Sequence, residues 1–120
     1  MITFPNSDYR VQLRPWKDDL APFEGRVGQR VIGRFRAEAK RLDVCGAGGR
    51  FVEPVFGRPR RVQGMVTVVQ PDQNTVIVSA GAGISIHLHP TAPGQSSTQF
   101  AVDDFLTCGV ADGASFELVE

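Results

Sequence analysis

The sequence predicts an all-β fold, a small antiparallel barrel of about six to eight short strands with little helix. Three observations carry this expectation. Residues 60–90 alternate with a period of two and are rich in β-branched side chains, which suit a pleated, half-buried surface. The chain holds 13 glycines and 8 prolines, which favour turns over long helices. Breaker-rich stretches recur at intervals of roughly ten residues, the spacing of a barrel or sandwich.

Residues 60–90 read as a meander of three strands. In the first, Val62, Gly64, Val66 and Val68 are expected on one face, with Gln63, Met65, Thr67 and Val69 on the other. Pro71, Asp72 and Asn74 supply turn chemistry. Val76 and Val78 then share a face of the second strand, and Gly81-Ala82-Gly83 breaks it. In the third, Ile84, Ile86 and Leu88 oppose Ser85, His87 and His89. Pro90 ends the strand, because it has no N–H for the ladder. Short connections imply antiparallel neighbours.

The rest of the chain is less regular. Tyr9, Val11 and Leu13 alternate with arginines and a glutamine, as in an edge strand ended by Pro15. Prolines at 15 and 22 leave room for no more than a helical turn between them. Residues 1–24 are expected to form an arm laid on the body, anchored by Trp16 and Phe23. Residues 25–41 carry two patterns. Val31, Gly33, Phe35, Ala37 and Ala39 alternate as in a strand, whereas Ile32, Phe35, Ala39 and Leu42 fall near helical spacing and Ala37–Leu42 has helical propensity. A strand from residue 30 to about residue 37 is expected. The glycines at 46, 48 and 49 lack the Lys-Ser/Thr of a phosphate loop and read as a plain turn. Pro54 marks 51–56 as an edge. The polar, breaker-rich residues 91–99 are expected to be a mobile surface loop. Residues 100–110 and 115–119 complete the strands.

A chain of 120 residues makes one domain. Residues 1–13 have neither an apolar run nor a basic start, so no secretory signal is expected, and no stretch is apolar enough to span a bilayer. A cytoplasmic setting follows as the expectation, with Cys45 and Cys108 as free thiols. Net charge is zero, but ten of the thirteen basic residues lie between 26 and 61 against three acidic ones, a net of +7. Residues 62–120 contain no Lys or Arg and six carboxylates.

The run VQGMVTVV, then TVIVSA, ISIHLH, FAVDDFLTCGV and ASFEL resembles the strand succession of a small barrel of the OB or SH3-like kind. Such barrels often open a strand after an acidic turn of the form V-G-D-x-V. Val102-Asp103-Asp104-Phe105 takes that place here, with Asp103 where glycine is usual. The resemblance covers about half the chain and implies a fold; function does not follow from fold.

Three constellations of residues bear on chemistry. His87 and His89 share a strand face and form the only candidate metal pair, which would make a metal-dependent enzyme; the polar solvent face of an amphipathic strand is the favoured reading. Asp103 and Asp104 are adjacent, point apart on a strand, and read as turn caps. The arginines Arg30, Arg34, Arg36, Arg58, Arg60 and Arg61 are the best lead, since guanidinium offers paired donors to carboxylate or phosphate. They predict a non-catalytic binding module that contacts a protein partner or a second copy of itself, basic face to acidic half. A single-stranded nucleic acid or phosphate ligand is the alternative, although dedicated nucleic-acid binders carry a basic excess. No cofactor is expected.

Overall fold

The computed structural model describes residues 1–46 and 48–119. Eleven strands are found among them: β1 (Ile2–Thr3), β2 (Arg10–Val11), β3 (Arg14–Pro15), β4 (Gly33–Val44), β5 (Phe51–Glu53), β6 (Phe56–Gly57), β7 (Arg61–Gln70), β8 (Thr75–Ser79), β9 (Ser85–Pro90), β10 (Phe105–Val110) and β11 (Ser115–Leu118). Helix among the described residues is confined to single 3-10 turns, two of them in the arm, Trp16–Asp18 directly after Pro15 and Ala21–Phe23 around Pro22.

Five strands close a barrel. Going round, β4 pairs with β9, β9 with β8, β8 with β7, β7 with β10, and β10 again with β4. Four seams are antiparallel, and for the hairpins β7–β8 and β8–β9 the short connections require it. The fifth, β4 to β9, is parallel. Its strands are linked by a long excursion through β7 and β8, so direction is not constrained by a hairpin. Side strands extend this frame: β11 flanks the first half of β4 and β3 flanks β11, while β5 adds to β7.

The core is the barrel interior. Phe35, Ala39, Leu42, Val62, Val66, Val76, Val78, Ile84, Ile86, Leu88 and Leu106 are each at most 2 % exposed. Alternation along β8 and β9 follows the period-two pattern. Along β7 it does not. The register slips between Val66 and Val68 on the β8 side, so Thr67 is an extra residue and the face inverts after it. Val68 is therefore exposed rather than inward, and Val69 packs on the core instead.

A second bulge resolves the ambiguity of residues 25–41. β4 starts at Gly33, later than expected, and runs on to Val44. Ala39 pairs with Val110 and Arg41 with Gly109, so two residues of β4 oppose one of β10. The inward set then steps from Phe35, Ala37 and Ala39 to Leu42. That step imitates a helical spacing. The local helical propensity is overridden because β4 has hydrogen-bonded neighbours on both sides. Arg30 falls outside the strand, in the exposed loop before it, and does not share the face of Arg34 and Arg36.

The arm is anchored more deeply than its aromatics suggest. Val11 is fully buried, and Phe4, Tyr9 and Leu13 pack on the core. The Phe4 and Phe35 rings stack at 6.4 Å between centroids, and Tyr9 Oη accepts a bond from the Val52 N–H. Phe23 meets Phe116 at the same centroid distance.

The loop at 91–99 is pinned to the barrel. The Gln95 side chain accepts from the Leu42 N–H at 2.8 Å and donates to the Leu42 carbonyl at 2.7 Å. It thus prolongs the β9 side of β4 after Pro90 has stopped the ladder. Ser97 is fully buried, and its N–H donates to Asn74 Oδ1. At the start of β10, the Asp104 carboxylate accepts from the Ala101 N–H at 2.9 Å. Asp103 has φ +77°, so it occupies the left-handed conformation that glycine usually supplies in such turns. The glycine loop after β4 includes Ala47, which lies outside the described residues.

Candidate functional site

The six arginines fall into separate groups. Arg34 and Arg36 lie on the outer face of β4 and are engaged within the chain. Arg36 donates through Nε and Nη2 to Glu117 Oε1 at 2.9 and 2.8 Å, and Arg34 Nη1 lies 3.3 Å from the same oxygen. The register explains the meeting, since β11 sets Ser115 opposite Arg36 and Glu117 opposite Arg34. Partial burial raises the Glu117 pKa, but the hydrogen bonds and charges of Arg36 and Arg34 outweigh it and hold the carboxyl below its usual value. The Arg36 guanidinium also lies 4.6 Å from the Trp16 ring, within cation–π range. Trp16 is therefore more than an anchor of the arm.

Arg58, Arg60 and Arg61 gather elsewhere. With Glu53, Pro54, Phe56 and Gly57 they line an open cleft of about 650 Å³. Arg60 is placed by its backbone: its N–H donates to the Glu53 carbonyl, and its own carbonyl accepts from Val110. Its side chain forms no ion pair with a described residue. Arg61 donates to Thr107 Oγ1 at 2.9 Å. Arg58 approaches Asp112 at 3.4 Å, with both side chains more than 60 % exposed, so water screens that pair. Phe56 is 63 % exposed beside them and Val55 is 48 % exposed. Arg30 belongs to neither group.

A second cleft, of about 540 Å³, lies outside the barrel between β9 and the arm. His87 and His89 both open onto it, with Arg14, Trp16, Arg36 and Glu38 among its walls. The two histidines thus do share one locus. Even so, no cluster of three or more His, Cys, Asp or Glu suited to a metal exists among the described residues. His87 is half-buried, and its Nδ1 is buried without a hydrogen-bond partner in the protein. Desolvation, then repulsion from Arg36 and Arg34, lower its pKa, so the ring is neutral at pH 7. Asp103 and Asp104 stay at their turn, away from both clefts. Cys45 and Cys108 are free thiols. Burial pushes the Cys108 pKa up to about 12, which leaves it a poor nucleophile.

Sequence reasoning found the histidine face and the arginines but not their neighbours. Arg14, Trp16 and Ser115 reach the second cleft, and Glu117 reaches Arg36, only through the pairing of β3, β11 and β4, which no local pattern announces. The charge asymmetry was the one signal that could have joined Glu117 to Arg34 and Arg36. No helix of the described residues is long and apolar enough to cross a membrane. The chain is a small closed β-barrel with additional strands, and no family model, curated protein or solved structure matches it.

Proposed function

We propose that the protein is a non-catalytic binding module that takes an acidic segment of a protein partner in the cleft of Arg58, Arg60 and Arg61. The observation that carries this reading is the division of the arginines. Arg34 and Arg36 share Glu117, so their charge is partly offset toward an acidic protein segment. Arg58, Arg60 and Arg61 remain exposed around an open cleft, next to an apolar side chain, Phe56, that solvent does not favour. Arginine clusters of this kind recognise acidic motifs, and an exposed aromatic among them suits an anchor residue on the partner. The same division argues against pairing between copies through Glu117, because that carboxylate already faces two arginines of its own chain.

The test is fluorescence anisotropy with a labelled glutamate-rich peptide carrying one leucine. Binding is expected at low salt and falls as salt rises. Arg60→Glu is expected to weaken it about tenfold, as charge reversal at a complementary contact does. A flat anisotropy curve at low salt, or an unchanged Arg60→Glu variant, overturns the reading.

A second reading, a barrel for single-stranded nucleic acid, is supported by connectivity. The meander β7–β8–β9, closed by β10 beside β7 and by β4 parallel to β9, has the cyclic order of an OB barrel whose last strand has moved to the front. OB barrels bind oligonucleotides on the second and third strands of that order, here β8 and β9. Binding of a labelled oligothymidylate with no response to the acidic peptide would favour it.

A further inference from the structure

The register places one row of polar side chains across four strands. Arg14 of β3 pairs with Ser115 of β11, Ser115 pairs with Arg36 of β4, and Arg36 pairs with His87 of β9. Paired residues share a face of a sheet, and neighbouring strands lie about 4.8 Å apart. The row therefore sets a hydroxyl between two guanidinium-bearing positions, with an imidazole at the end. All four residues line the cleft between β9 and the arm, and Trp16 walls it beside Arg36.

Charge and hydrogen bonding both point to an anion. The row itself carries two guanidinium groups, Arg14 and Arg36, and no carboxylate, while the carboxylates of the lining, Glu38 and Asp112, lie outside it. Arg14 makes no ion pair with a described residue, and Arg36 uses Nε and Nη2 on Glu117, which leaves its other terminal nitrogen free of any ion pair. His87 Nδ1 is buried with no partner of its own, and an unmade hydrogen bond of that kind is costly. A cation would meet repulsion from the arginines, and the described carboxylates do not cluster into a metal site.

We propose that this row binds a small molecule through an oxyanion, a phosphate or carboxylate group, held by Arg14, Ser115, Arg36 and His87. The cleft is separate from the arginine cleft at Phe56, so either site can fail without the other. Binding is coupled to a proton. His87 is faced by Arg34, Arg36 and Glu38 on β4, His89 on its own strand, Glu117 on β11 and Arg14 on β3, while β8 contributes the uncharged Ile77 opposite it. A bound anion offsets the arginines and makes the imidazolium easier to form, so the ligand raises the His87 pKa and binds more tightly as pH falls.

The experiment is an NMR titration of the His87 and His89 ring resonances with inorganic phosphate, and separately with acetate, against chloride at matched ionic strength. The expected result is a saturable shift at His87 and an upward move of its titration midpoint with at least one of the two probes. Saturation with phosphate alone assigns a phosphate-bearing ligand, and with acetate alone a carboxylate. Arg14→Gln, at an exposed position, is expected to weaken the effect about tenfold, the loss of one charge-assisted bond. Should that variant fold poorly, Ser115→Ala serves as the second probe, with a several-fold loss expected. The proposal falls if His87 responds to phosphate and acetate no differently than to chloride. It falls equally if both variants leave the curves unchanged, or if oligothymidylate displaces the small anion at equal phosphate concentration, which would make the site a nucleic-acid contact.

Discussion

Gln95 and Gln99 make the same number of hydrogen bonds from the same loop, yet replacing them by alanine should have unequal consequences. Gln95 accepts from the N–H and donates to the carbonyl of Leu42, a residue 2 % exposed. Gln99 accepts from the Ser96 N–H and donates to the Gly94 carbonyl, both in exposed surroundings. Removing Gln95 strands two backbone groups at a point where β9 has already ended, and water reaches them poorly. A made hydrogen bond contributes about 0.5–1.5 kcal/mol net, and an orphaned buried group costs about 1–3 kcal/mol. Gln95→Ala should therefore cost about 2–4 kcal/mol. In a domain of this size that corresponds to a fall in Tm of roughly 8–15 °C. Gln99→Ala leaves its partners to water and should cost less than about 0.5 kcal/mol. Urea denaturation of the two variants beside the parent protein measures both, with m unchanged as the sign that only the folded state was altered. Equal destabilisation within error would refute the argument that Gln95 acts as a surrogate strand.

Two further outcomes follow from the same structure. A Cβ on Gly64 would collide with the Ser79 carbonyl across the β7–β8 seam, whereas one on Gly109 would make an ordinary 3.6 Å contact with Lys40; Gly64→Ala should lose about 2–3 kcal/mol and Gly109→Ala well under about 1 kcal/mol, read from urea midpoints. Because Glu117 titrates below its usual value when folded, its contribution is present above the unfolded carboxylate pKa, about 4.3, and disappears as pH falls through the folded value. Glu117→Gln should be less stable than the parent by about 0.5–1 kcal/mol at pH 7, with the gap closing in acid; a gap that persists at low pH would show that the ion pairs are not its cause.

The meander was legible because β8 and β9 obey strict alternation and are bounded by Pro71, Gly81, Gly83 and Pro90. What misled was parity. A bulge is one additional residue with no compositional mark, and Thr67 and Lys40 look like any other strand residue. The first bulge turned Val68 outward. The second made Leu42 look helical. The parallel seam was also invisible, since nothing in residues 33–44 says that their partner lies about fifty positions away. The candidate sites show the same limit. His87 and His89 were found together because they are two apart on one strand. Arg36 and Glu117 are 81 positions apart, and only register joins them. The acidic half was recognised as a counterpart of the basic segment from charge alone, and two of its carboxylates meet arginines in this way. Glu120, counted among the acidic residues of the sequence, lies outside the described residues.

β4 depends on strands that follow it. Its partners are β9, β10 and β11, all of which leave the ribosome after it. During synthesis this twelve-residue strand must wait with both edges unpaired, while β7, β8 and β9 can zip up through short turns. Pairings of such long sequence separation make closure the slow step of folding. The interval is also when an unpaired edge is open to other chains. Arg34, Arg36, Glu38, Lys40, Arg41 and Asp43 place charge along the length of β4, an arrangement that disfavours association of the waiting edge with other chains.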